Sequence, residues 1–433
     1  MSEAFNRICD AISSGHNVFI SGVGGCGKTY LLRLLHKHFT ETYKKLCVLT
    51  STTGISAYNL GGKTLHSWTR IILPSDANVN AQEWADNLIK RLKYNQKLWK
   101  SYRQVEILFI DEVSMLGSKY MDALNYVCQS MRDDERPMGG IQVVLGGDMM
   151  QLPPVRDEFC FESGTWVTLN LKYFRMTKAY RFTNQLWVDV LQRARLGELT
   201  KGDQEILQSR VGVHPPKDCV QPIYFASRNE DVDVINQKHM NRLQGQARGF
   251  GTTEYNLKVD AAGNVIDAQR VEQLPKEIAS QFMIDRSLVL KVKCEVMLLS
   301  NLSVESGLTN GTRGIVVDLR PDAVTVHFEN GIVQDILPYL FKIEHNYKWY
   351  GREGIPLKLA FATSIHKSQS LTLSSVELDI GSNVFTQGQS YVALSRCKSL
   401  EGLYIRDIDV NKVRPHPTAL RFERHFLKKC IDV

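Results

Sequence analysis

Gly22-Val23-Gly24-Gly25-Cys26-Gly27-Lys28-Thr29 fits the pattern G-x-x-x-x-G-K-[ST] and narrows the possible folds more than any other stretch. The apolar run Val18-Phe19-Ile20 precedes it, and Tyr30-Leu31-Leu32-Arg33-Leu34-Leu35 follows with helical spacing. A strand, a glycine loop and a helix in that order imply a parallel α/β sheet. The glycines let the backbone close around an anion, so that successive N–H groups and the helix N-terminus face it. Residues Gly22, Val23, Gly24, Gly25, Cys26, Gly27, Lys28, Thr29 and Tyr30 are therefore assigned to a nucleotide phosphate site. Lys28 is suited to the β- and γ-phosphates, and the Thr29 hydroxyl to Mg²⁺. The plain alternative is a glycine-rich turn that binds nothing.

Further apolar runs end in residues of matching chemistry. Val105-Glu106-Ile107-Leu108-Phe109-Ile110 reads as a buried strand that terminates in Asp111-Glu112. Asp111 suits the Mg²⁺ shell, and Glu112 suits orienting or deprotonating an attacking water; the alternative is a strand ending in a charged turn. Ile141–Leu145 reads as another strand, leading to Gly147-Asp148 and then Gln151-Leu152-Pro153-Pro154-Val155. Gln151, at that strand end, is placed to sense a γ-phosphate. Leu46–Thr50 runs into the hydroxyl-rich turn Ser51–Ala57, and Gly61-Gly62-Lys63-Thr64-Leu65-His66-Ser67-Trp68 follows. Small hydroxyl residues beside a His and a Trp suit a phosphodiester backbone and a stacked base. On its own, Trp68 reads as core before it reads as a base platform.

The remaining chain separates by texture. Residues 69–104 carry seven basic against three acidic residues, with Trp84, Leu88, Leu92 and Trp99 at helical spacing. They read either as a small inserted subdomain along a nucleic-acid path or as a solvated helical insertion. From about 176 the α/β pattern restarts, with Leu186, Val190, Leu191 and Ala194 on one helix. Residues 246–354 are instead β-rich, in the runs Leu288–Leu299, Gly314–Leu319 and Val324–Phe328, with a hairpin signal at Asn330-Gly331. The α/β pattern resumes at Leu357–Thr363 and continues to Tyr391-Val392-Ala393-Leu394-Ser395-Arg396. A net charge of +7 leans weakly towards a polyanionic partner. Nine cysteines without C-x-x-C spacing read as reduced core thiols of an intracellular protein. No secretory or mitochondrial signal and no membrane span is expected.

In order along the chain, these blocks resemble superfamily 1 (1B) DNA helicases of the Pif type (petite integration frequency), relatives of RecD-like enzymes. The resemblance rests on the phosphate loop, Thr53-Gly54-Ile55, Gly61–His66, Ile110–Met115, Gly139–Gln142, Gly147-Asp148 with Gln151–Val155, Asn310–Gly314, Ile365-His366-Lys367-Ser368-Gln369 and Tyr391–Arg396. It implies two RecA-like P-loop NTPase domains. The first (1–68 and 105–175) carries the helical insertion 69–104 as a wedge. The second (176–245 and 355–433) carries a β-barrel-like, Src-homology-3-like insertion (246–354). It also implies ATP and Mg²⁺ as cofactors, held and used by Lys28, Thr29, Asp111, Glu112 and Gln151 of the first domain, with Arg181 and Arg396 reaching in from the second. Single-stranded or forked DNA is implied at Thr53, Gly54, Thr64, His66, Trp68, His366, Lys367 and Ser368. The 5′-to-3′ direction comes from the family alone, as do G-quadruplexes and DNA–RNA hybrids as further substrates. The family also suggests a monomer, and no obligate protein partner is evident. Residues 1–17 read as one short amphipathic helix, so no separate N-terminal domain is expected ahead of the loop, and the expected location is cytoplasm, nucleus or a viral replication compartment. A poorly unwinding translocase and an ATP-switched DNA-binding regulator remain as alternatives. Three positions depart from the pattern: Phe5 stands where an adenine-reading Gln is usual, Phe182 where a Gln is common, and Ser370 where a Gly is usual.

Overall fold

Val18–Gly22 is strand β1, and all five of its residues are buried. The computed structural model describes residues 2–71, 79–182, 184–216, 220–226, 228–260, 264–303, 305–345, 348–369, 371–381, 384 and 386–433. Asp76, Cys219 and Ser370, which entered the sequence reading, lie outside them. Helix α1 (Ser2–Ser13) turns Ile8 and Ile12 inward ahead of β1, as its spacing predicts. After the loop, α2 (Lys28–Glu41) buries Leu31, Leu32, Leu35 and Phe39. Strands β2 (Cys47–Ser51), β3 (Lys63–Thr64), β4 (Ile107–Asp111), β5 (Gln142–Gly147) and β6 (Lys172–Met176) complete most of one sheet. A last strand, Ile431–Asp432, lies at its edge, giving the order 431–432, β6, β1, β5, β4, β2, β3. All the pairings are parallel. The C-terminal ends of β1, β4 and β5 therefore open on one side, where such sheets bind ligands.

The chain divides into two compact units. The first comprises Met1–Glu205, Val384–Ser395 and Asp409–Val433; the second comprises Ile206–Asn383 and Arg396–Ile408. Residues 176–205, 384–395 and 409–433, grouped by the sequence reading with the second domain, thus fall in the first unit. Side-chain packing explains this for the C-terminal helix Pro417–Phe426. Its Phe422 and Phe426 meet Phe19 of β1 edge-on, at ring-centroid distances of 6.2 and 5.6 Å.

Among its described residues the insertion forms two helices, Ala81–Leu92 and Gln96–Gln104. Each is capped by an asparagine, Asn80 and Asn95, whose side chain accepts from a backbone N–H three residues on. Trp84, Leu88 and Leu92 are buried, Trp84 against Tyr120. Trp99, on the second helix, is 38% exposed and carries the Arg103 guanidinium 3.9 Å from its ring centroid.

In the second unit, Ala362–Ser364, Ile223–Ala226, Val376–Ile380 and Leu403–Ile408 form a parallel sheet in that order. The β-rich segment gives four strands of a five-stranded antiparallel sheet, ordered Val333–Ile336, Val324–Phe328, Arg313–Leu319, Glu295–Leu298; the fifth, Leu357–Leu359, expected to resume the α/β pattern, instead pairs with Glu295–Leu298. A separate antiparallel sheet combines Val265–Val271, Thr253–Val259, Lys348–Gly354 and Tyr339–His345. The β-rich run 288–299 holds two strands, 287–290 and 295–298, divided where Lys293 adopts φ +72°. The hairpin falls at Asn330-Gly331 as expected, with Gly331 N–H donating to Phe328 O at 2.9 Å. Among the described residues eight cysteines are free, six of them buried. Among the described residues no helix is long and apolar enough to cross a membrane.

Candidate functional site

The phosphate loop leaves β1 and enters α2 through Gly27, whose φ of +89° at the helix N-cap is costly for any residue with a Cβ. Gly25 (φ +86°) has a second constraint: a Cβ there would lie 2.5 Å from the Cβ of Arg181. Lys28 is 8% exposed, and its Nζ donates to Gly22 O (2.7 Å) and Val23 O (3.2 Å), which holds the ammonium along the loop. Tyr30, two residues on, is half exposed with the Arg33 guanidinium over its ring.

Parallel pairing brings the acidic strand end to the first turn of α2. Thr29 Oγ1 donates to Asp111 Oδ2 at 2.7 Å, and Ser56 Oγ donates to the same oxygen at 3.4 Å. Asp111 is 1% exposed. Burial first, and then the neighbouring Glu112 carboxylate, push its pKa up to about 6 against the opposing Thr29 hydrogen bond. A hydroxyl and a carboxylate sharing one point form a hard-oxygen donor set suited to Mg²⁺, so these residues fit the implied ion. Glu112 takes φ +55°, a conformation that costs a non-glycine residue on the order of 1 kcal/mol or more. It is held by its own N–H on Asp111 Oδ1 (2.9 Å) and by the Thr52 hydroxyl on its carbonyl (2.8 Å). Glu112 is 8% exposed. Gln151 is 3% exposed, its N–H donates to Asp148 O, and its Oε1 has no hydrogen-bond partner among the described residues.

The two arginines fall in different units. Arg181, expected from the second domain, lies in the first: its N–H donates to Gly25 O (3.1 Å) and its Nη1 to Ser395 O (3.1 Å). The cause is backbone continuity, because β6 runs beside β1 and delivers residues 180–181 to the loop. Arg396 belongs to the second unit and is 2% exposed. Phe182 is buried.

The expected strand-binding residues sit at helix starts. Thr53 and Thr64 cap the short helices Gly54–Leu60 and Leu65–Thr69, accepting from Ser56 N–H (3.2 Å) and Ser67 N–H (3.1 Å). Gly54 is exposed. His66 packs 4.7 Å from the Tyr120 ring, and burial lowers its pKa, favouring the neutral imidazole. Trp68 does not join them as a base platform. It is 6% exposed with its ring 5.1 Å from Tyr102, so packing takes the faces a base would need. In the second unit, Lys367 is exposed, His366 is half-buried with its pKa lowered by burial, and Ser368 is buried, its hydroxyl on Ile365 O.

Phe5 lies on the core side of α1, and its ring meets His38 of α2 edge-on at 5.3 Å. A phenyl ring offers no hydrogen bond to an adenine edge. GTP and CTP are therefore expected to be hydrolysed within about 10–200-fold of ATP, the range for apolar discrimination, and not the far larger factors of hydrogen-bonded readout. Steady-state hydrolysis of the three nucleotides measures this, and rejection of GTP and CTP beyond that range would refute it.

The sequence reading passed over a buried network behind the loop. The Tyr391 hydroxyl accepts from Gly24 N–H (3.1 Å) and donates to Asp148 Oδ2 (3.0 Å). Arg195 grips Asp148 Oδ1 through Nε (3.0 Å) and Nη2 (2.8 Å), and reaches Glu423 Oε1 through Nη1 (2.7 Å). Burial alone would raise the Asp148 pKa, but Arg195 and Lys28 outweigh it and hold the carboxyl below its ordinary value. Tyr391 and Asp148 did stand inside quoted motifs; Arg195 stood in none.

A parallel sheet with a glycine phosphate loop after β1 and an Asp-Glu pair after β4 defines a P-loop nucleoside-triphosphatase fold. Residues 1–205 match the family model for PIF1-like helicase, and residues 273–319 match that for the DNA helicase Pif1 2B domain. The ATP-dependent DNA helicase Pif1 of Bdellovibrio bacteriovorus is 31% identical over 423 residues, covering 96% of this chain and 90% of that protein. The chain therefore belongs to the PIF1-like helicase family. It is 32% identical to the ATP-dependent DNA helicase PIF1 of Xenopus laevis over 99% of its own length but spans only 65% of that relative. Among solved structures, Bacteroides sp Pif1 in complex with ADP-AlF4 superposes with a TM-score of 0.79 at 26% identity, covering 98% of this chain and 97% of that one. The likeness extends to the fold as a whole, so both α/β domains are RecA-like.

Proposed function

We propose that this chain is an ATP-dependent DNA helicase that moves 5′ to 3′ on single-stranded DNA and unwinds forked duplexes, using ATP and Mg²⁺. The observation that carries the reading is the convergence of Lys28, Thr29, Asp111 and Glu112 at the ends of β1 and β4, with Thr29 and Asp111 2.7 Å apart. The names of the relatives and the nucleotide complex of the Bacteroides protein support it. In this proposal Lys28 binds the β- and γ-phosphates, and Thr29 and Asp111 hold the ion. Mg²⁺, when bound, supplies charge neutralisation on the phosphate oxygens. Glu112 orients and deprotonates the attacking water, and Gln151 reports the γ-phosphate. Arg181 and Arg396 offset charge that develops on the transferred group. Thr53, Gly54, Thr64 and His66, with His366, Lys367 and Ser368, grip the strand. Separating one stacked base-pair step costs about 1.4 kcal/mol, so turnover has ample energy to drive it. G-quadruplexes and DNA–RNA hybrids belong to the same proposal as further substrates.

The test compares ATP hydrolysis with and without single-stranded DNA, beside unwinding of duplexes carrying a 5′ or a 3′ tail. Hydrolysis is expected to rise with single-stranded DNA, and unwinding to require the 5′ tail. Hydrolysis indifferent to DNA would leave a nucleotide-switched binding protein instead, and stimulation without strand separation would leave a translocase.

A further inference from the structure

The Tyr391 phenol has a place in the site that no motif role accounts for. It is 3% exposed, and its oxygen stands between two elements that nucleotide chemistry must keep in register. One is the first limb of the phosphate loop, through Gly24 N–H at 3.1 Å; the other is the turn after β5, through Asp148 Oδ2 at 3.0 Å. That turn leads directly to Gln151. Burial first, then Asp148, raises the pKa of the phenol, so it remains a donor to the carboxylate. The same turn is seated under the start of the helix Gln389–Leu394: a Cβ on Gly388 would lie 3.0 Å from Gln151 O and 3.2 Å from Met150 O. Asp148 cannot swing away from the phenol, because Arg195 holds its other oxygen with two nitrogens and is itself fixed by Glu423.

We propose that Tyr391 is a positioning residue that ties the phosphate loop to the Asp148–Gln151 turn, so that the loop and the γ-phosphate-sensing glutamine hold one spacing. This rests on the function proposed above and deepens it. The amide of Gly24 is committed to the phenol, whereas Lys28 and the helix start do not depend on it. Removing the hydroxyl therefore leaves the principal binding groups in place and loosens the alignment used in turnover.

Tyr391→Phe keeps the ring and deletes the oxygen. With single-stranded DNA present, kcat for ATP is expected to fall about tenfold, the order for one lost buried hydrogen bond. Affinity for a fluorescent ADP analogue should stay within about twofold, while the melting temperature should fall by about 2–8 °C, because the buried Asp148 carboxylate and the Gly24 N–H each lose a partner. Hydrogen exchange of the peptide spanning residues 20–30 should speed up in the variant without nucleotide, a readout that needs no catalysis. Unchanged kcat, or unchanged exchange, would overturn the proposal. So would a loss confined to affinity, or a parallel loss of kcat and affinity, failure to fold included. A wild-type chain that hydrolyses no ATP would instead sink the proposed function, while the exchange comparison would still decide the tether.

Discussion

Glu112→Gln is expected to bind ATP with near wild-type affinity and to hydrolyse it about 10²–10⁴-fold more slowly, the usual contribution of a positioned general base. Glutamine matches the glutamate in shape, so the backbone at φ +55° and its two supports, Asp111 Oδ1 and the Thr52 hydroxyl, are undisturbed. What changes is the loss of a carboxylate able to accept the proton of water. Removing a negative charge beside Asp111 also relieves the repulsion that helps raise the Asp111 pKa, so ion binding should not weaken. Lys28→Ala is the informative contrast. It deletes the cation next to the loop, and both affinity and rate should fall. Equilibrium binding of a fluorescent ATP analogue beside single-turnover hydrolysis separates the two variants. If Glu112→Gln kept more than about a tenth of the wild-type rate, Glu112 would not be the base.

The reactive part of the site was legible because its residues sit next to one another in sequence or at strand ends. Gly22–Thr29 announces its own geometry, and an apolar run closing in Asp111-Glu112 names the end of a strand. Once the sheet is parallel, those two ends must open on the same side. Side chains whose partners lie far along the chain were not legible. Arg195 reads as one more basic residue in the last turn of a helix; its partners Asp148 and Glu423 are 47 and 228 positions away. Helical spacing likewise reveals a buried face without saying which sheet it covers. This is why the Phe422 and Phe426 face of Pro417–Phe426 could be expected to pack, and yet not on β1. Trp68 shows the converse limit. Its neighbours Thr64 and His66 suggested a base platform, while its bulk favoured burial, and in the fold the Tyr102 ring decides for burial. Trp99 lies on a helix, as its spacing implied, but a guanidinium covers its ring in place of core.

Arg195→Ala is expected to cost about 3–5 kcal/mol of stability, since removing one partner of a buried ion pair strands the others without compensation. For a unit of this size that corresponds to a fall of roughly 10 °C in its melting transition. Two carboxylates are left: Asp148, at 0% side-chain exposure, and Glu423, at 3%. The pH dependence distinguishes this from the loss of a packing group. In the wild type the Asp148 pKa is depressed, so its contribution is present above the unfolded carboxylate value of about 4 and is lost as pH falls below it. Without Arg195, burial dominates and raises the pKa of the same carboxyl. Its effect then reverses, with stability retained at low pH and lost as pH rises through the elevated value. The gap between variant and wild type should therefore be widest near neutrality and narrow steadily towards about pH 4. Thermal melts across that range measure it. A deficit that stayed constant with pH would mean that Arg195 acts by filling space and not by balancing charge.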